Sequence, residues 1–246
     1  MDNISGFVAA EFLTNGRLRA AINLGNPILA SQPPGQAQPS GVSVDLAREL
    51  ARRLDVELEM VVFNAAGLAA AALAAGSVNI GFVAIDPQRG EGIRFTPPYV
   101  QIEGSYLVRE ESPLRAKEEV DRQGIRVAVG LGSAYDLYLG RTLKHAQLVR
   151  AATSPSVVDT FLHHELDVAA GVRQQLEYDA ERFGGLRMLD GRFMTINQAM
   201  GLPLRCSDGA WRLLCGFVEE LKSGGFVADA LARHGIDGAA VAPPAI

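Results

Sequence analysis

The sequence predicts an α/β fold of two lobes, each a mostly parallel sheet flanked by helices. Three observations predict it. Short apolar strands alternate with amphipathic helices in the order β-α-β-α-β, which calls for helices covering a largely parallel sheet. The same order then occurs a second time. A pair of amphipathic helices follows that belongs to neither repeat.

Residues 17–24 place Leu18, Ala20, Ile22 and Leu24 on one face, a strand period. Gly25-Asn26-Pro27 breaks the strand, and a proline- and glutamine-rich loop follows. Residues 44–54 carry Val44, Ala47, Leu50, Ala51 and Leu54 on one helical stripe. Residues 56–63 alternate again, with Glu57 and Glu59 facing outward. Residues 67–75 form a short alanine-rich helix closed by Gly76. Residues 78–85 are almost wholly apolar, as in a strand covered on both faces.

The second repeat has strands at 125–130, 147–150 and 168–172, with helices at 133–143 and 156–164 between them. A further strand is expected at 194–202. Two helices follow, one carrying Trp211, Leu214, Cys215, Val218 and Leu221, the other spanning 226–234. The tail from Gly238 is small and proline-containing, and is expected to be loosely held.

Composition bounds the function. The 246 residues suffice for one large domain or two of ~100–150 residues. Hydrophobic residues at 48% and charged residues at 21% are ordinary for a globular chain with a real core. The net charge of −5 gives no electrostatic reason to bind nucleic acid or an anionic membrane. No run approaches the ~18 apolar residues of a membrane-spanning helix. The first sixteen residues do not read as an export leader, because they lack a basic start and Glu11 and Asn15 interrupt any apolar core. Either a leader has been removed or the protein stays inside the cell. If a helix starts near Ser207, Cys215 lies about 12 Å along its axis, too far from Cys206 for a disulfide. Two free thiols are expected.

Two places could hold an anion. Arg89 follows Asp86-Pro87-Gln88, where proline sets a turn, and an arginine there can grip a carboxylate with two parallel hydrogen bonds. A solvated turn arginine is the plain alternative. Gly130-Leu131-Gly132-Ser133 follows a strand and opens a helix, with Ser133 as N-cap and helix-start amides that attract anions. A dinucleotide site there lacks its third glycine, since Tyr135 stands in that place, and the next strand offers Arg150 rather than an acid for the ribose. A plainly capped helix and a carboxylate-binding helix start both remain. His163 and His164 diverge by about 100° on a helix, so they cannot share a metal. No metal or cofactor motif is present, and no G-x-S-x-G elbow marks a serine hydrolase.

Three blocks resemble the amino-acid-type (family 3) periplasmic solute-binding proteins of ABC transporters. The first is Gly41-Val42-Ser43-Val44-Asp45-Leu46-Ala47, similar to that family's "GFDVDLA". The second is Asp86-Pro87-Gln88-Arg89 with Phe95-Thr96-Pro97-Pro98-Tyr99, similar to its "TPER" and "DFTxPY", with Asp86 in place of threonine. The third is Val218-Glu219-Glu220-Leu221-Lys222-Ser223-Gly224-Gly225-Phe226, similar to its "ELKADGT" ending.

The resemblance implies a periplasmic-binding-protein-like (type II) fold. Residues 1–106 and 200–246 would form lobe 1 and residues 107–199 lobe 2, joined by two hinge strands, with ligand held in the cleft between them. It implies that Arg89 grips a ligand carboxylate and that Ser133 and Ala134 stand where the family has helix-start threonines. Phe82 and Ala84 take the strand-lining positions, and Asn26 and Tyr135 shape the pocket. Where many amino-acid binders hold the ligand ammonium with an aspartate, this chain has Val172 followed by Arg173. Either Asp86 takes that part or the ligand is no ordinary α-amino acid. Arg89 with Arg173 would suit a dicarboxylate.

The function so implied is capture of a small carboxylate-bearing solute, an amino acid or organic acid, for the permease subunits of an ABC importer. The protein would act in the periplasm as a monomer, without nucleic acid, membrane insertion or cofactor. Two alternatives share the fold: a cytoplasmic ligand sensor or carrier, and a lyase similar to cyclohexadienyl dehydratases, for which the cleft acid is missing at Val172.

Overall fold

The computed structural model describes residues 10–245. Most of the stretch read for an export leader, residues 1–9, lies outside them. In chain order the elements are β1 (Arg17–Asn23), α1 (Val42–Leu54), β2 (Glu57–Phe63), α2 (Ala66–Ala74), β3 (Ile80–Ala84), β4 (Ile93–Arg109), β5 (Arg126–Gly130), α3 (Ala134–Thr142), β6 (Gln147–Ala151), α4 (Val157–His163), β7 (Val168–Val172), α5 (Arg173–Phe183), β8 (Leu186–Met188), β9 (Met194–Pro203), α6 (Asp208–Ser223), α7 (Phe226–Arg233) and β10 (Ala240–Val241). The chain divides into two compact units, one of Met1–Gln101 with Asn197–Ile246, the other of Ile102–Ile196. The α/β class read from the sequence is the one observed.

In the first unit the strand order is β2-β1-β3-β9. β1 is parallel to both β2 and β3, and β9 runs antiparallel to β3. β3 is buried along its whole length, as its unbroken apolar run requires. Leu73 of α2 and Val83 of β3 share a core cluster with Ala21 and Ile93. β2 is partly exposed along its length, and its Glu57 and Glu59 pair with Arg17 and Arg19 across the strand pair.

β4 runs through Pro97 and Pro98. Proline cannot donate to a ladder. The Thr96 hydroxyl compensates: it accepts from the Met200 amide and donates to the Met200 carbonyl, both at 3.2 Å. The Trp211 indole donates to the Phe95 carbonyl at 2.8 Å. The tail is not loose throughout. Ala240 and Val241 pair antiparallel with Gln101 and Val100 of β4, and Ala242 is buried.

In the second unit the order is β4-β7-β5-β6, with β8 also on β4. β5 is parallel to β6 and β7, and β4 is antiparallel to β7. Phe161 of α4 and Leu176 of α5 bury against Leu107, Ala128 and Ala169 of the strands. Both cysteines are free thiols, as expected.

Candidate functional site

In open α/β sheets the functional edge is the carboxyl end of the parallel strands, where loops enter the following helices. Each unit has such an edge, and the candidate residues lie there.

In the first unit the loop after β1 carries Asn26 and the loop after β3 carries Asp86 and Arg89. The Asn23 side chain accepts from the Gly25 amide at 2.9 Å, which turns the chain out of β1. The Asn26 backbone carbonyl then accepts from the Leu29 and Ala30 amides at 3.1 and 3.2 Å. Asn26 is only 9% exposed, and its Oδ1 is a buried acceptor without a hydrogen-bond partner. After β3, Asp86 Oδ1 accepts from the Gln88 amide at 2.9 Å and its carbonyl accepts from Gly90 at 3.0 Å. That turn delivers Arg89 on a short 3-10 segment, Arg89–Glu91.

Arg89 is 8% exposed, and its Nη1 donates to the Ala84 carbonyl at 3.0 Å. Burial pulls its pKa down to about 10, against the opposing pull of the Asp86 charge. It is therefore not a solvated turn arginine. Phe82 and Ala84 are both buried, and the Phe82 ring stands edge-on to Tyr99 at 6.2 Å. The Tyr99 hydroxyl in turn contacts Ser43 of α1 at 3.2 Å.

In the second unit Gly130 closes β5. A Cβ there would stand 2.8 Å from the Ser154 Cα and from the Tyr135 hydroxyl oxygen, so the close approach requires glycine. Ser133 caps α3 by accepting from the Asp136 amide at 3.0 Å. Asp136 is buried and accepts from the Gly132 amide at 2.9 Å and from Arg150 Nε at 2.9 Å. The helix start thus already holds a carboxylate of its own. Tyr135 is turned inward, its hydroxyl among Ser154, Ser133 and Gly130, and burial raises its pKa. Ala134 is also buried.

At the end of β7, Val172 is partly exposed and Arg173 begins α5. Arg173 Nε donates to Glu103 at 2.9 Å, and its Nη2 donates to the Gly191 carbonyl at 2.7 Å. Glu103 also accepts from Arg192 at 2.8 Å, and Arg192 and then Arg173 hold its carboxyl below the ordinary range. Sequence reasoning missed Asp136 and Glu103. The S-x-x-D spacing from Ser133 to Asp136 is a capping signal that could have found the first. Glu103 has no local signal, since its partners lie 70 and 89 residues away.

Among the described residues no cluster of three or more His, Cys, Asp or Glu is placed to hold a metal ion. No helix among them is long and apolar enough to cross a membrane.

Residues 18–223 match the model of bacterial extracellular solute-binding proteins, family 3. The chain belongs to this family. Solved structures share its fold at low sequence identity. A mutant of ArgBP from T. maritima is 20% identical, with a TM-score of 0.78 over 93% of this chain and 99% of that one. A putative binding component of an ABC transporter from Wolinella succinogenes, complexed with lysine, is 21% identical, with a TM-score of 0.76 over 89% and 96%. A cysteine-binding protein from Campylobacter jejuni is 15% identical, with a TM-score of 0.78 over 92% of each chain. No curated protein sequence matches the chain. The resemblance carried by Gly41–Ala47, Asp86–Arg89 and Val218–Phe226 is thereby confirmed at the level of the family, and with it the type II binding-protein fold.

Proposed function

We propose that this solute-binding protein captures a small carboxylate-bearing solute, an amino acid or organic acid, and delivers it to the permease subunits of an ABC importer on the outer side of the membrane. Arg89 carries the reading. It is a desolvated guanidinium at the carboxyl edge of a parallel sheet, delivered by a fixed turn. An arriving carboxylate stabilises such a cation, and the guanidinium fork matches its two oxygens. Arg173 serves as scaffold, because Glu103 and the Gly191 carbonyl engage it.

The test is a thermal-shift screen of amino acids and organic acids against the wild type and Arg89→Ala. A set of carboxylates is expected to raise the Tm of the wild type only. The absence of any carboxylate response, or an equal response from Arg89→Ala, rejects the proposal. Fractionation of the native gene product tests the site of action, and a purely cytosolic protein would be incompatible with docking on an importer's outer face.

A further inference from the structure

The acid beside Arg89 in the first unit is already engaged, and this bears on the second polar group of the solute. In the first unit Asp86 accepts from the Gln88 amide and lends its charge to Arg89. In the second unit Asp136 is held by Arg150 and the Gly132 amide, Glu103 by Arg173 and Arg192, and Glu177 lies 3.6 Å from Arg173. Glu91, at the end of the 3-10 segment, is exposed to water.

What the first unit holds in reserve is a neutral acceptor. Asn26 Oδ1 is buried and unpartnered, on a turn fixed by two backbone hydrogen bonds. A buried acceptor left without a donor costs about 1–3 kcal/mol, so its persistence asks for a partner. Its position suits a ligand. β1 and β3 are parallel with Ala20 opposite Ile80 and Ala21 opposite Gly81. The carbonyl of Ala84, the last residue of β3, anchors the Arg89 guanidinium. Asn26 follows β1 and Arg89 follows β3, neighbouring parallel strands, so both loops leave the same edge of the sheet.

An ammonium taken out of water needs a counter-charge or a full set of acceptors, and a lone amide carbonyl supplies neither. A neutral N–H needs one acceptor, and an amide carbonyl is that. We infer that the solute bears, beside its carboxylate, an uncharged amide-type N–H, as in an N-acyl or N-carbamoyl amino acid or a lactam acid, and that Asn26 accepts it. The inference rests on the carboxylate reading of Arg89 and narrows it.

Calorimetric titration with matched triads tests it. Each triad holds a free amino acid, its N-acetyl derivative and its deamino acid, with alanine, leucine, aspartate, arginine and phenylalanine side chains. L-proline against L-5-oxoproline adds a lactam pair. The amide member of whichever series binds is expected to bind at least tenfold tighter than its ammonium counterpart. Asn26→Leu should remove that advantage while leaving the deamino acid's affinity within about twofold, and Asn26→Asp should shift preference toward the ammonium member. Tighter binding of the free amino acids, abolished by Arg89→Ala, overturns this inference and leaves the carboxylate reading standing. An amide preference that survives Asn26→Leu overturns the part given to Asn26. Silence from every member overturns both readings.

Discussion

The Nη1 atom of Arg89 donates to the carbonyl oxygen of Ala84 at 3.0 Å, so the guanidinium folds back over the end of the strand that precedes it. Burial lowers its pKa from the ordinary guanidinium value to about 10, with Asp86 opposing. A base whose folded pKa lies below its unfolded value costs stability while it is charged. That cost is complete below about pH 10 and fades as pH rises above it. It is on the order of 3 kcal/mol. The double variant Arg89→Met/Asp86→Asn removes cation and counter-charge together and keeps the acceptor for the Gln88 amide. It is expected to unfold in urea at the same or higher midpoint than the wild type at pH 7 and to lose the carboxylate response. A loss of more than about 2 kcal/mol would show that the pair stabilises the fold instead.

Gly41 precedes α1 with φ of 131°, outside the range comfortable for other residues. A Cβ there would stand 2.8 Å from the Ala30 Cα and would also meet the Leu29 carbonyl. Those atoms are backbone, held by the Ser43 amide, which donates to the Leu29 carbonyl at 3.0 Å. Gly41→Ala is therefore expected to cost about 3 kcal/mol, adding strain to clash. An unchanged urea midpoint would contradict this.

These residues also show what the sequence could disclose. β3 and β7 were legible because strands covered on both faces are unbroken apolar runs, and α1 because its apolar stripe keeps the helical period. Helix α5, RQQLEYDAERF, escaped notice because little more than Leu176 of it faces the core, and so few apolar positions give no stripe. The passage of β4 through Pro97 and Pro98 is not announced locally, because Thr96 bonds there with Met200, over a hundred residues away. The Arg89 turn announced itself through Asp86 and Pro87. That Asn26 ends as a buried acceptor without a donor is a property of packing, and no spacing rule records it.

Asp136 is the link between the start of α3 and β6. Its carboxylate takes the Gly132 amide and Arg150 Nε, while its amide is capped by Ser133. Asp136→Ala removes the hydrogen bond from the Gly132 amide and the tie to β6. A loss of about 2–3 kcal/mol is expected by urea unfolding, and Asp136→Asn, which keeps an acceptor, should lose less. Equal losses in the two variants would show that the hydrogen bonds are not what matters there.

Glu49, on α1, holds two arginines. Both its oxygens accept from Arg52 at 2.8 Å, and Oε1 also accepts from Arg53 Nε at 2.7 Å. Arg52 first, then Arg53, pull its pKa from 4.5 to about 2, against a partial burial that acts to raise it. Its folded pKa lies below its unfolded value, so the stabilisation is complete above about pH 4.5 and is lost as pH falls toward 2. Arg52 is largely in solvent, which screens the pair, and a net contribution of about 1 kcal/mol is expected. Urea unfolding of the wild type and Glu49→Gln should show that gap at pH 6. By pH 3 the unfolded carboxylate is mostly protonated, and the gap should have shrunk to about half or less. A gap that stays constant from pH 6 to pH 3 would mean that the arginines do not hold the carboxylate ionised.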